Sequence, residues 1–109
     1  MVGLSNGGAM THKFACTYPD LLAAAVAVVP SIAKGRSCVP ISSLPYLQIY
    51  GENDKTTPSD DSQSSGGYFY ENPFTSFNSW SDSMKCNTQI TKSDLLIAEK
   101  KGLICRTRA

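Results

Sequence analysis

Apolar and polar positions near the start of the chain predict a helix followed by a buried strand. Residues 6–18 have helical spacing, with Met10, Phe14 and Tyr18 four residues apart on one face. A proline then ends the helix. The next apolar run, residues 22–29, consists mainly of Ala and Val between turn signals. This pattern is typical of a strand that is buried on both faces in a parallel sheet.

The alternation continues in the second half of the chain. Residues 31–45 form a loop, residues 46–50 predict a second short strand, and a polar, serine-rich loop follows. Asn72 and Pro73 are typical of the N-cap and first turn of another helix. Its apolar stripe consists of Phe74, Phe77, Trp80 and Met84. Beyond Cys86 the pattern weakens and predicts either short strands or a strand and a turn. Helices that alternate with buried strands predict an α/β fold with a mostly parallel sheet, whose functional loops lie at the carboxyl ends of the strands.

Composition argues against several classes of function. A length of 109 residues allows one domain with a modest core, and a net charge of +1 without a basic run disfavours a nucleic-acid partner. The longest apolar run, residues 21–29, is far shorter than the ~20 residues of a membrane-spanning helix, so we expect no membrane partner. The four cysteines lack C-x-x-C spacing, which disfavours a zinc or redox motif. They form either disulfides of a secreted protein or buried thiols of a cytosolic one.

The segment from Gly3 to Gly7, with the sequence Gly-Leu-Ser-Asn-Gly, carries the most chemical content. It places Ser5 in the glycine frame of a nucleophile elbow, the strand-to-helix turn that exposes the reactive serine of α/β-hydrolases. Small neighbours are needed there because the backbone doubles back. Asp54 follows the second strand closely, so we expect its carboxylate at the same sheet edge, where it would be the acid of a catalytic triad. The alternative is a turn aspartate.

A triad also needs a histidine, and the sequence contains only His12. It follows Ser5 on the same helix by seven residues, or roughly 10 Å along the axis, whereas a base must come within about 3 Å of the hydroxyl. His12 is therefore interpreted as a surface or helix-packing residue. The sequence is then either a fragment that ends before the histidine or a degenerate relative. Only two residues precede Gly3, too few for the strand that leads into an elbow, and this favours a fragment.

Several segments occur together in the order of one enzyme family. They are Gly3 to Met10, Ala15-Cys16, Pro19 to Leu21, Ala23-Ala24, Pro45 to Tyr50, Gly51 to Asp54 with Pro58, Gly66-Gly67, and Trp80 with Cys86. This combination resembles the esterase family that includes polyhydroxybutyrate depolymerases and the secreted feruloyl and acetyl xylan esterases. The resemblance implies a partial α/β-hydrolase fold of three α/β/α layers. Residues 1–109 would be a fragment of a single catalytic domain, from the elbow to just before the histidine loop, without the early strands or the C-terminal strand.

The resemblance assigns roles residue by residue. Ser5 would be the nucleophile, Asp54 the triad acid and Asn6 the donor of a backbone N–H to the oxyanion. The implied reaction is acyl transfer through an acyl-enzyme, which uses no metal or cofactor. Its substrates would be polymer esters, either polyhydroxyalkanoate or the feruloyl and acetyl groups of xylan. The full-length parent would be extracellular, whereas this chain begins without a signal peptide and is expected to be inactive because it lacks the histidine.

Two further assignments are weaker. Tyr68 and Tyr70 line an acyl or aromatic pocket or, alternatively, belong to the core. By the resemblance, Cys86 and Cys105 form a disulfide. Two other identities stay open. The elbow is also similar to that of prolyl oligopeptidase-type serine peptidases, and a non-enzymatic alternative is a catalytically dead remnant or a binding module derived from the fold.

Overall fold

The computed structural model describes residues 1–86, 91–95 and 100–104, and for the last two ranges it describes the strand backbone. The elements in chain order are β1 (Val2–Leu4), α1 (Asn6–Thr17), a 3-10 turn (Pro19–Leu21), β2 (Ala25–Val28), β3 (Tyr46–Ile49), α2 (Pro73–Ser83), β4 (Thr91–Leu95) and β5 (Lys100–Ile104). Within these ranges, no helix has both the length and the apolar character needed to cross a bilayer.

Strands β1, β2 and β3 form a parallel sheet with β2 in the middle. Leu4 lies opposite Val28, and Val28 lies opposite Ile49, so the three strands end at the same edge. Strands β4 and β5 pair antiparallel in a second sheet. The α/β arrangement predicted from alternating helices and buried strands is confirmed, and β2 and β3 fall inside the predicted runs.

Helix α1 packs through a face of small and polar side chains. The buried residues of α1 are Gly8, Thr11, His12, Ala15 and Cys16. The apolar spacing of Met10, Phe14 and Tyr18 does not mark this face, since Met10 is 61% and Tyr18 53% exposed. Gly8 gives the reason, because a Cβ there would lie 3.0 Å from the Val28 carbonyl oxygen and from the next loop. At Gly8 the helix therefore lies so close to β2 that no side chain fits between them.

Helix α2 begins at the predicted cap. The Asn72 side chain accepts the backbone N–H two residues further on at 2.9 Å, and Pro73 is the first helical residue, which confirms the prediction. Trp80 and Met84 from the predicted stripe are buried, and the Trp80 ring stacks on Tyr46 of β3 with 4.0 Å between centroids. The main core cluster consists of Ala15, Cys16, Ala25, Leu44, Trp80 and Met84. Both helices thus share one core over the sheet.

Candidate active site at the carboxyl edge of the sheet

A single residue, Ser5, joins the end of β1 to the start of α1. Its backbone has φ 55° and ψ −118°, which costs on the order of 1–3 kcal/mol in a residue other than glycine. Two sets of hydrogen bonds hold it in place. The Ser5 N–H donates to the Val28 carbonyl at 2.9 Å, and the Ser5 carbonyl accepts the N–H groups of Ala9 at 3.0 Å and Ser31 at 3.2 Å. The result is a sharp strand-to-helix turn with serine at its apex, the backbone geometry that a nucleophile elbow requires.

The Ser5 hydroxyl is exposed and does not cap α1, although serine at this position usually does. Its partner is the Ser31 hydroxyl, with 3.1 Å between the two Oγ atoms. Ser31 lies just beyond β2, after Val29, whose φ of 45° is rare for a β-branched residue. The sequence interpretation missed Ser31. Its position directly after a strand end was the signal that could have identified it.

Two glycines make the turn compact. A Cβ on Gly3 would overlap the Gly7 carbonyl and the Thr11 hydroxyl, so the first glycine of the motif is sterically required. A Cβ on Gly7 would meet nothing within 4 Å. The second glycine needed for close approach is Gly8, which faces β2. The prediction that small residues flank the serine is therefore confirmed for Gly3. On the helix side, the residue that must be small is Gly8 and not Gly7.

Asn6 is the first residue of α1. The first N–H groups of a helix have no intrahelical acceptor and lie at the positive end of the helix dipole. In α1, which falls wholly inside the described range 1–86, the first turn carries no acidic side chain. The start of the helix can therefore stabilise a negatively charged oxygen beside the Ser5 hydroxyl.

Asp54 follows β3 at the same edge of the sheet as Ser5, with β2 between their strands. Its Oδ1 accepts the N–H groups of Thr56 at 2.8 Å and Thr57 at 2.9 Å. Asp54 is thus a turn aspartate, as the alternative interpretation has it. Neither of these bonds uses Oδ2, so the half-buried carboxylate still has an oxygen for an imidazole.

The aromatic pair lies on a segment that contacts the loop after β2. The N–H of Lys34 donates to the Phe69 carbonyl at 3.2 Å, and Ala33 forms an isolated β-bridge with Tyr70. Tyr68 is 66% exposed, and its ring centroid lies 6.4 Å from that of Tyr70. Tyr68 is thus not a core side chain, and the acyl or aromatic pocket of Tyr68 and Tyr70 remains a prediction.

His12 lies in the core, as its spacing from the serine led us to expect for a helix-packing residue. The side chain is 2% exposed, its Nδ1 lies 3.1 Å from the Tyr46 hydroxyl, and its Nε2 accepts the Cys38 N–H at 3.2 Å. Burial and, to a smaller extent, the Lys13 charge lower the pKa of His12 to about 4 against the opposing effect of Glu71. His12 is therefore neutral and bound on both nitrogens, so it does not act as the base.

Cys16 and Cys38 form a disulfide that links α1 to the loop after β2. The sequence leaves disulfides and buried free thiols as alternatives, and for this pair the structure shows a disulfide. The predicted pairing of Cys86 with Cys105 remains a prediction, because position 105 lies outside the described residues.

Comparisons of the chain with protein-family models, with curated proteins and with solved structures found no match. The family that the sequence resembles therefore remains a prediction.

Proposed function

We propose that this protein is built on the α/β-hydrolase plan and that Ser5 is the nucleophile of a serine ester hydrolase. The observation that carries the proposal is the backbone of Ser5, which has φ 55° between a parallel strand and a helix. A serine that only capped α1 would use its hydroxyl for the helix and an unstrained backbone. Strain of this kind concentrates at reactive and binding sites, where surrounding hydrogen bonds maintain it.

The geometry suits a two-step acyl transfer. Ser5 Oγ bonds to the ester carbonyl carbon while a base takes its proton, and the carbonyl oxygen becomes negative next to the Asn6 N–H. The bond to the alcohol oxygen then breaks, and the alcohol leaves with the proton. Water releases the acid from the acyl-enzyme by the same route and restores the serine.

The strand order supports Asp54 as the acid. Ser5 follows β1 and Asp54 follows β3, so their strand ends are two interstrand spacings apart, or roughly 10 Å. An imidazole ring with a hydrogen bond of about 2.8 Å on each nitrogen bridges most of that separation. The carboxylate would orient the ring and stabilise its charged form.

The substrate class rests on the sequence resemblance, which implies polymer esters of the polyhydroxyalkanoate or substituted-xylan type. Ser5 and most of the Tyr68 side chain are exposed, so a polymer can reach this edge without entering a closed cavity.

Added imidazole tests the proposal because it supplies the base that His12 cannot. The protein is incubated with an activated phenyl acetate, with and without imidazole, and the acetyl group is located by peptide mass spectrometry. We expect acetylation of Ser5 that depends on imidazole, because loss of the base of a triad costs on the order of 10⁶ in rate.

Ser5→Ala should abolish the imidazole-dependent adduct, and Ser65→Ala is the matched control because Ser65 is another exposed serine. Equal modification of Ser5 and Ser65, or an adduct at Ser5 that is insensitive to imidazole, would contradict the proposal. Acyl transfer to Ser5 from an amide substrate in preference to an ester would instead indicate a peptidase.

A further inference from the structure

A cluster of three metal-ligating side chains lies away from the candidate nucleophile. Among the described residues, a ring nitrogen of His12 and the sulfur atoms of Cys16 and Cys38 all lie within 4.8 Å of one another. His12 and Cys16 occupy positions i and i+4 of α1 and therefore share a face, and Cys38 comes from the loop after β2. C-x-x-C spacing does not detect such a set because its members come from separate segments.

The cluster is compact enough for tetrahedral zinc once reduction lets the two bonded sulfur atoms move apart. Zn–S bonds of about 2.3 Å and Zn–N bonds of about 2.0 Å place neighbouring ligand atoms roughly 3.5–3.8 Å apart. The two cysteine Cα atoms are 6.1 Å apart, so both side chains reach the same point from opposite sides. Cys16 and His12 are buried and Cys38 is half-buried, which leaves an approach from the Cys38 side.

The surroundings of His12 already orient it as a ligand. The Tyr46 hydroxyl donates to Gln48 Oε1 at 3.1 Å, so its oxygen accepts the proton on His12 Nδ1. This fixes the tautomer with a lone pair on Nε2, which now accepts the Cys38 N–H. Metal-binding histidines commonly have their second nitrogen held by an acceptor in this way.

We propose that reduction of the Cys16–Cys38 disulfide converts this cluster into a zinc site whose ligands are His12 Nε2, Cys16 Sγ and Cys38 Sγ. A phosphine or thiol reductant supplies two electrons, the S–S bond breaks, and each sulfur takes a proton. Zn²⁺ then displaces one proton from each thiol and replaces the Cys38 N–H at the lone pair of His12 Nε2, and water completes the four-coordinate shell. The loop after β2 is thus linked to α1 by the disulfide in the oxidised protein and by the metal in the reduced one.

The test uses the full chain with Cys86→Ser and Cys105→Ser, so that the only remaining thiols belong to the site. The protein is reduced with a phosphine, which becomes its oxide with oxygen from water, and is titrated with Co²⁺ and then Zn²⁺ without air. We expect thiolate-to-cobalt charge-transfer absorption that saturates at one equivalent, disappears with zinc and accompanies release of one proton per thiol. The oxidised protein should show none of these changes.

Two variants test the histidine. Tyr46→Phe keeps the ring stacked on Trp80 but removes the acceptor for Nδ1, and it should weaken metal binding about 10–100-fold. Tyr50→Phe, at the end of the same strand, is the matched control and should bind as the parent does. His12→Gln should weaken binding more than Tyr46→Phe, with folding checked by circular dichroism.

Absence of the charge-transfer band in the reduced protein would overturn the proposal. Equal affinity in Tyr46→Phe and Tyr50→Phe would also overturn it, because His12 would then not be an oriented ligand. Neither result depends on the esterase activity proposed for Ser5.

Discussion

Protonation of His12 should destabilise the folded protein between about pH 6.5 and about pH 4. The ring is buried beside the disulfide and contacts Trp80 at 5.4 Å between centroids. Nε2 accepts a backbone N–H and would lose that hydrogen bond if it became protonated. A proton on Nε2 would face the N–H group that now donates to it, and one of the two donors would have to move.

The pKa values give the size and the sign of the effect. The pKa of His12 is about 4 in the folded protein, against 6.5 for the unperturbed side chain. The unfolded chain therefore binds a proton in this window that the folded protein does not, so stability rises with pH. The stability is fully present above about pH 6.5 and is lost as the pH falls towards 4. At about 1.4 kcal/mol per pH unit, the loss is about 3 kcal/mol.

Urea unfolding at a series of pH values measures this loss. The fluorescence of Trp80, the only tryptophan, reports the transition because the indole is buried next to His12. The free energy of unfolding is compared with that of His12→Gln, whose residue 12 does not titrate. The pH dependence that comes from acidic residues is common to both proteins and cancels in the difference. Lys13→Gln is the second comparison, and it should lessen the loss because the Lys13 charge also lowers the pKa of His12.

The decisive quantity is the difference in unfolding free energy between parent and His12→Gln as the pH falls. This difference should shift by about 3 kcal/mol across the window. Parallel pH profiles for the two proteins would refute the assignment of His12 as a neutral core residue.

Three further predictions concern substitutions, two of them paired with a control variant. Gly3→Ala should lower the free energy of unfolding by about 3 kcal/mol in chemical denaturation, because the added Cβ would overlap backbone atoms. The control Gly7→Ala should change it by less than about 1 kcal/mol, because that Cβ has free space. Equal losses of stability in the two variants would contradict the close packing at Gly3. Asn72→Ala should cost about 1 kcal/mol in thermal unfolding through loss of the cap, and exposed Asn78→Ala should cost nothing. Asp54→Asn keeps the Oδ1 acceptor and thus the stability, but imidazole-dependent acetylation of the nucleophile should fall about tenfold or more; an unchanged rate would remove Asp54 from the site.

Features encoded within a few neighbouring residues could be predicted from the sequence. The turn at Ser5 depends on adjacent glycines, the start of α2 depends on the pair Asn72-Pro73, and the parallel strands depend on short apolar runs. In each case one local interaction dominates the conformation. The same local character explains why Asp54 could be placed at the sheet edge, since it follows its strand directly.

Features that depend on long-range packing could not be predicted. The buried face of α1 is set by the close approach of Gly8 to β2. The apolar spacing instead predicts that Met10 is buried, whereas Met10 is exposed. Ser31 contacts Ser5 only because β1 and β2 end together. The pairing of Cys16 with Cys38 likewise requires the loop after β2 to return to α1.

Helix α1 connects Ser5 with the cluster of His12, Cys16 and Cys38. Its start holds the strained Ser5, at a cost on the order of 1–3 kcal/mol, and that cost must be offset by packing of the same helix. The hydrogen bonds of His12 and the Cys16–Cys38 disulfide supply such packing further along α1. Protonation of His12 removes about 3 kcal/mol, which is comparable to the strain. The hydrogen bonds that His12 makes while it is neutral therefore contribute stability of the same order as the strain at Ser5.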